Sequence, residues 1–294
     1  MPELPDVTLY IKRLKPRIGG KALVGIRMKS PFLLRSVAPP PDACVGKRVA
    51  GFQRLGKRIA IGFEDELHLV FHLMIAGRFR WREAGAKLPG KLGLAAFDFE
   101  GGTLLLTEAG TKKRASLHVV QGKDALHAHD PGGIDVMTCG LEAFSAKLRE
   151  ENHTLKRSLC APRAFSGIGN AYSDEILHRA RLSPVQLSQN LSDAEVERLH
   201  EAVCATMQHW IDRLDEELGD DFPEKVTAFR EGMAVHGRYG EPCPDCGSPV
   251  QRIVYASNET NYCAKCQTGG RLLADRALSR LLKKSWPKTL EELG

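Results

Sequence analysis

Cys243-Pro244-Asp245-Cys246 is followed by sixteen residues and then by Cys263-Ala264-Lys265-Cys266. Each pair makes a tight knuckle that aims two thiolates at one tetrahedral ion, and the spacing falls in the four-thiolate zinc window. Gly247 follows the first knuckle, where a positive φ is often wanted. Between the pairs, 251–255 reads as one arm of a hairpin and Asn261-Tyr262 as the start of the other. Cys243, Cys246, Cys263 and Cys266 leave no open coordination position, so one structural zinc ion is predicted. Two disulfides or four free thiols are the competing reading, which a reducing compartment disfavours.

Upstream of the hairpin the periodicity is helical. Residues 141–149, 155–160, 172–179 and 193–217 read as helices, and Ser192 with Glu195 matches a capping box. Asp130-Pro131-Gly132-Gly133 reads as a linker. Before it, from Ala22 to about Val120, short apolar segments (59–63, 67–73, 94–99, 103–107) alternate with turn signals, the pattern of an antiparallel sandwich or barrel. At the start, Pro5 suits a first helical turn, Val7, Tyr10, Ile11 and Leu14 share a face, and Pro16 with Gly19-Gly20 ends the helix. Beyond the cysteines, 271–284 carries a leucine stripe and reads as a last helix, with packing on the sandwich as the plainest role.

The composition is that of a globular chain of 294 residues, 43% apolar and 27% charged. No stretch is apolar for 18 residues and the N-terminus lacks a signal-peptide pattern, so a cytoplasmic protein is expected. A net charge of +6 suits a polyanion partner without requiring one. Lys112-Lys113-Arg114, Lys283-Lys284 and the alternating Arg78, Arg80 and Arg82 are cationic clusters, each readable as a solvated face. Cys44, Cys139, Cys160 and Cys204 read as ordinary buried thiols.

Two further segments carry chemistry. Loss of Met1 would leave Pro2 with a secondary amine, a far better nucleophile than an amide. Attack on a sugar C1′ gives an iminium that drains electrons from the sugar and permits elimination of phosphate. Glu3 lies beside it as a carboxylate for proton transfer. With Met1 attached, Pro2 is an inert amide. At Gly167-Ile168-Gly169-Asn170 the glycines permit a tight turn whose amides can face a phosphate. Asn170 then caps the next helix or reaches DNA.

Pro2-Glu3-Leu4-Pro5, the Gly167–Asn170 turn and the four-cysteine hairpin occur in one order, and this resembles the formamidopyrimidine-DNA glycosylase and endonuclease VIII family over about residues 2–267. The resemblance implies a multidomain chain: an N-terminal antiparallel β-sandwich with a leading helix (1–130), a helix–two-turn–helix domain (131–235) and a zinc-finger hairpin (236–270), with DNA in the cleft; the C-terminal helical extension (271–294) runs beyond the family's usual end. It implies a base-excision-repair glycosylase and abasic-site lyase acting as a monomer on nucleoid DNA. Pro2 would form the Schiff base, Glu3 would be its acid/base partner, and Lys57 would sit near the lesion's phosphate. Lys156, Gly169 and Asn170 match phosphate contacts.

Departures from the family pattern are equally specific. His72-Leu73-Met74-Ile75-Ala76-Gly77 puts Ile75 where a void-filling methionine is usual, and a one-residue shift in a strand changes the face. Residues 108–114, with Lys112, Lys113 and Arg114, replace a loop that probes the opposite base. Asn258 stands where the hairpin usually offers an arginine, and Arg252 or Lys265 are the possible substitutes. Residues 219–232 look short for a loop that closes over the lesion. These changes support, as the alternative, a non-catalytic or lyase-deficient binder of damaged DNA. A zinc-ribbon regulator would leave Pro2-Glu3 and Gly167–Asn170 unexplained.

Overall fold

The computed structural model describes every residue except 256–257, 275–279, 283–284, 286 and 294. Two compact units are present, one of residues 1–132 and 210–227 and one of residues 133–209 and 228–294.

The first unit opens with helix α1 (Leu4–Ile18). Eight strands follow: β1 (Leu23–Met28), β2 (Val49–Leu55), β3 (Arg58–Phe63), β4 (Leu67–His72), β5 (Gly77–Arg82), β6 (Gly93–Phe99), β7 (Gly102–Glu108) and β8 (Ser116–Gln121). They form two antiparallel four-stranded sheets, ordered β1-β6-β7-β5 and β2-β3-β4-β8. Strand alternation places Ile59, Ile61, Leu69, Phe71, Leu117 and Val119 of one sheet in the same core as Phe79, Phe97, Leu104 and Leu106 of the other. Phe71 meets Phe79 and Phe97 edge-on, with ring centroids 5.0 and 5.1 Å apart. This aromatic trio joins the sheets, so the predicted sandwich is what forms.

Val7, Tyr10, Ile11 and Leu14 enter that core as their spacing requires. Pro16, read as a helix end, lies inside α1 instead. A proline there removes one hydrogen bond. Fully buried Ile18 holds the last turn down, and the Arg17 guanidinium donates to the Arg13 carbonyl at 2.9 Å. The helix ends at Gly19. Residues 219–227 form no helix or strand, and Phe222 and Val226 insert into the sandwich core. Helix α2 (Lys123–His127) covers Leu55, Ala60, Val70 and Val120 on the outer face of the second sheet.

The second unit holds α3 (Leu141–Glu150), α4 (Leu155–Cys160), α5 (Asn170–Arg179) and the N-terminal part of α6 (Asp193–Leu218). The Ser192–Glu195 capping box forms in both directions. The hairpin is β9 (Val250–Tyr255) and β10 (Asn258–Cys263), followed by α7 (Ala264–Thr268). Its second arm starts three residues earlier than Asn261, because Asn258, Glu259 and Thr260 pair with Tyr255, Val254 and Ile253 despite their polar sequence.

The helix expected over 271–284 is not borne out at its start. Residues 272–274 are not helical, and Leu272 and Leu273 pack with Ile253 and Tyr262 of the zinc hairpin, not on the sandwich. Leu273 donates its N–H to the Tyr262 hydroxyl at 2.7 Å, and Leu272 donates to the Lys288 carbonyl at 2.8 Å. These bonds and the packing on Tyr262 hold 272–274 in a non-helical path. Residues 280–282 are helical; 275–279 and Lys283-Lys284 lie outside the described residues. No helix among the described residues is long and apolar enough to cross a membrane.

Candidate functional site

In the first unit, Pro2 and Glu3 are both buried at the mouth of α1. Glu3 is the N-cap residue, and Asp6 accepts its N–H at 2.8 Å in a capping box. Glu3 to Asp6 is therefore a structural spacing as well as a chemical one, and Asp6 is a carboxylate that the sequence reading did not use. Met1 is 37% exposed and carries the α-amine. Burial lowers the pKa of that amine; Glu3 and Asp6 oppose the shift, and Arg78 and Lys57 add to it. The amine thus sits in a partly desolvated spot ringed by two acids and two cations.

Each neighbour is held by its own element. Lys57 occupies the two-residue loop between β2 and β3, where Gly56 takes φ 62° and Lys57 is half-buried. Arg78, on edge strand β5, donates to the carbonyls of Val226 (2.7 Å), Gly77 (2.6 Å) and Ile75 (3.1 Å). Its neighbours Arg80 and Arg82 converge on Glu224; Arg82 binds both carboxylate oxygens and Arg80 approaches to 3.8 Å. The arginine stripe thus tethers residues 224–226, while Arg80 and Arg82 remain partly exposed.

His72 ends β4 and accepts the Met74 N–H on Nδ1 at 3.1 Å. Burial first, then Arg58, Lys57 and His118, push its pKa down to about 4. Residues 73–76 are a turn, not a strand, with Met74 at φ 54°. Strand alternation therefore does not set the direction of Ile75. Leu73 is buried, whereas Ile75 is 54% exposed at the turn. Lys112, Lys113 and Arg114 are exposed on the loop before β8. That loop is anchored by buried Glu108, which accepts the N–H groups of Arg114 (2.9 Å) and Ala115 (3.2 Å).

In the second unit, Lys156, Gly169 and Asn170 come together at the start of α5. Gly167 takes φ 88° and Gly169 is the N-cap. The Lys156 ammonium donates to Asp174 and to the Asn170 carbonyl, both at 2.6 Å. Asn170 donates its side-chain amide to the Glu259 carbonyl at 2.8 Å, which links α5 to β10. Asn258 is the exposed first residue of that strand. The sequence reading missed Glu175, whose carboxylate collects the N–H groups of Ala234, Val235 and His236 at 2.7 to 2.9 Å. No spacing rule links residues so distant in sequence.

The sulfur atoms of Cys243, Cys246, Cys263 and Cys266 all lie within 4.8 Å of one another. Cys243–Cys266 is 4.0 Å and Cys246–Cys263 is 3.4 Å. A tetrahedral zinc with bonds of about 2.3 Å needs sulfurs about 3.8 Å apart, so the four thiols fit one zinc ion. Gly247 takes φ 72° and donates to the Cys243 carbonyl at 2.9 Å, closing the first knuckle. His178 of α5 places Nε2 3.3 Å from the Cys243 sulfur, an outer-shell contact the sequence did not reveal.

Comparisons with known proteins follow this division. Residues 1–116 match the formamidopyrimidine-DNA glycosylase N-terminal domain, 133–218 its H2TH domain, and 240–269 the zinc finger found in FPG and IleRS. The formamidopyrimidine-DNA glycosylase of Thermus thermophilus is 30% identical over 279 residues, covering 92% of this chain and all of the relative. The crystal structure of MutM (Fpg) from the same organism is similar at 31% identity and a TM-score of 0.76, covering 90% of this chain and 98% of that one. The Lactococcus lactis Fpg in complex with an abasic-site DNA shares the fold at 24% identity and a TM-score of 0.80, covering 90% and 99%. An N-terminal sandwich, a helical domain and a four-thiol zinc hairpin in this order define a class of DNA-repair proteins. This chain belongs to the formamidopyrimidine-DNA glycosylase family.

Proposed function

We propose that the chain is a base-excision DNA glycosylase with abasic-site lyase activity, and that Pro2 is its nucleophile. The observation that carries this reading is the setting of the α-amine: burial lowers its pKa while Glu3 and Asp6 lie beside it and Lys57 and Arg78 add positive potential. A secondary amine at Pro2 would begin one residue deeper, at a buried position. The named relatives, glycosylases matched along their whole length, support the same activity.

In the proposed reaction the Pro2 nitrogen forms a bond to C1′ as the bond from C1′ to the base breaks; the base leaves with that electron pair and takes a proton from water, and the proton of the Pro2 nitrogen passes to Glu3. Glu3 passes a proton to the sugar's ring oxygen as the ring opens to the iminium. Loss of the C2′ proton then expels the 3′ phosphate, and water releases the sugar from Pro2. Lys57 holds phosphate near the amine. The target base must leave the stack, which costs a few kcal/mol and is cheapest at damaged pairs.

The partner is damaged or abasic duplex DNA, bound by a monomer in the cytoplasm. Residues 1–130 would carry the chemistry, 131–235 and the zinc hairpin 236–270 would grip DNA, and 271–294 would extend the hairpin's support. His72, Ile75, Lys112, Lys113, Arg114, Lys156, Gly169, Asn170 and Asn258 are the proposed contacts. Ile75 is suited to act as an apolar wedge.

Borohydride trapping on duplex DNA with one abasic site, paired with intact mass spectrometry of the free protein, tests the reading. The expected result is a covalent adduct from a chain lacking Met1, lost in Pro2→Gly. Normal lyase activity in Pro2→Gly would sink the nucleophile assignment. Tight binding without an adduct from a chain with a free Pro2 would favour the lyase-deficient binder.

A further inference from the structure

Two aromatic side chains of the second unit are exposed in a way that folding does not require. Phe229 is 69% exposed and Tyr239 is 52% exposed. Each has a planar group against it. Phe229 stacks on His236, with centroids 5.6 Å apart and planes 13° from parallel. Arg252 of β9 lies over the Tyr239 ring, with its guanidinium carbon 4.2 Å from the centroid.

Both stacks are pinned from behind. His236 gives Nδ1 to the Asp174 carboxylate at 2.7 Å, and Asp174 is fully buried. The Phe229 ring also rests on Gly237, where an added Cβ would come within 2.6 Å of it and where φ is 75°. Gly237 donates its N–H to the Asn261 side chain at 2.8 Å, and Asn261 faces Arg252 across the hairpin. Arg252 is further held by Glu259 at 3.3 Å. Phe229 and Tyr239 are therefore joined through His236, Gly237, Asn261 and Arg252, with His236 and Asn261 buried behind the two exposed rings.

Held aromatic rings that stay more than half exposed suit one kind of occupant. An aliphatic partner would gain from any apolar residue, whereas a planar, electron-poor ring gains from a fixed aromatic face beside a cation. Nucleobases stack on such platforms with little regard for identity. Arg252 adds charge complementary to the strand that carries them. It is also the sole cationic residue between positions 250 and 263 of the sequence.

We infer that Phe229 and Tyr239 form a stacking platform for unpaired nucleobases, so that this unit binds single-stranded or locally unpaired DNA in addition to duplex. The inference deepens the proposed function and rests on DNA being the partner. Base-on-aromatic stacking predicts a loss of roughly 5- to 150-fold in affinity for each ring removed.

The test is fluorescence anisotropy of the full chain with three probes: an oligo-dT single strand, a duplex with an unpaired three-base bulge, and a fully paired duplex with one abasic-site analogue. Phe229→Ala and Tyr239→Ala are expected to weaken the dT and bulge probes within that range and to change the paired abasic duplex less. Phe229→Trp should keep binding, whereas Phe229→Leu, apolar but not aromatic, should not. Unaltered zinc content and circular dichroism would show that the variants fold. Wild-type binding to both the dT and bulge probes that survives in the two alanine variants would overturn the inference, and so would wild-type binding to the abasic duplex alone. Loss on the bulge but not on dT would assign the platform to unpaired bases within duplex. Wild-type protein that binds none of the three probes would instead overturn the proposed function.

Discussion

Lys156 and Asp174 form a buried ion pair, with the ammonium 2.6 Å from a carboxylate that has no solvent exposure. Asp174 offers its other oxygen to His236 at 2.7 Å. Lys156, expected from its resemblance to contact phosphate, is thus also part of the internal support of the second unit. Removing one partner of a buried pair strands the other's charge and costs about 3 to 5 kcal/mol. Lys156→Ala should therefore lower the stability of this unit by about 3 kcal/mol in urea denaturation, as well as weakening DNA binding. An unchanged urea midpoint would assign Lys156 to DNA alone.

The pH dependence of trapping should report the amine's surroundings. Only the unprotonated amine attacks, so trapping rises with pH through the amine's pKa. Burial, Arg78 and Lys57 lower that pKa for the α-amine of Met1, and an amine at the adjacent, buried Pro2 is expected to feel the same groups. Lys57→Met removes one lowering influence, so the rise in trapping should move to higher pH, whatever happens to its plateau. A midpoint that stays put or moves down would show that Lys57 does not act on the amine.

His72 gives the first unit an acid-sensitive element. Its pKa is pushed down to about 4, below the ordinary value of 6.5 in the unfolded chain. Between these values the unfolded chain takes up a proton that the folded one refuses, so stability falls as pH drops from 6.5 towards 4. Above about pH 6.5 the residue is neutral in both states and contributes no slope. His72→Asn should flatten this acid limb in melting temperatures measured from about pH 4 to 8. An NMR titration with the His72 ring protonating near pH 6.5 would refute the premise. At neutral pH any contact of His72 with DNA is made by a neutral imidazole.

The His178–Cys243 contact should matter for metal retention. Outer-shell partners typically alter metal affinity about 10- to 100-fold. His178→Phe keeps the volume and removes the donor, so zinc loss to a chelator should require about tenfold less competitor, with one zinc per chain before challenge. Equal retention by the variant would make the contact incidental. Full chelation should unfold the hairpin and the packing of Leu272 and Leu273 on it, because Ile253 and Tyr262 share that cluster.

The legible parts of this protein were those set by local spacing. Two Cys-x2-Cys pairs announced a four-thiol cluster, because knuckle geometry needs only neighbouring residues. Apolar alternation announced the sandwich strands, and Val7, Tyr10, Ile11 and Leu14 announced the buried face of α1. Polar alternation hid half of β10, since Asn258–Thr260 pair through their backbone and owe their place to β9. Pro16 misled for a similar reason: the packing of Ile18 outweighs one missing hydrogen bond.

The sequence by itself determined the order of the elements, the zinc ligands and the presence of Pro2-Glu3 at the chain start. Each depends on residues within a few positions of one another. Only the tertiary structure decided that Arg78 and Lys57 surround the amine, that Arg80 and Arg82 are spent on Glu224, and that Asp174 joins Lys156 to His236. Those relations depend on where distant segments land. Charge and burial act through space, and a cation in the sequence becomes a ligand, a tether or a free surface only when the fold has chosen its neighbours.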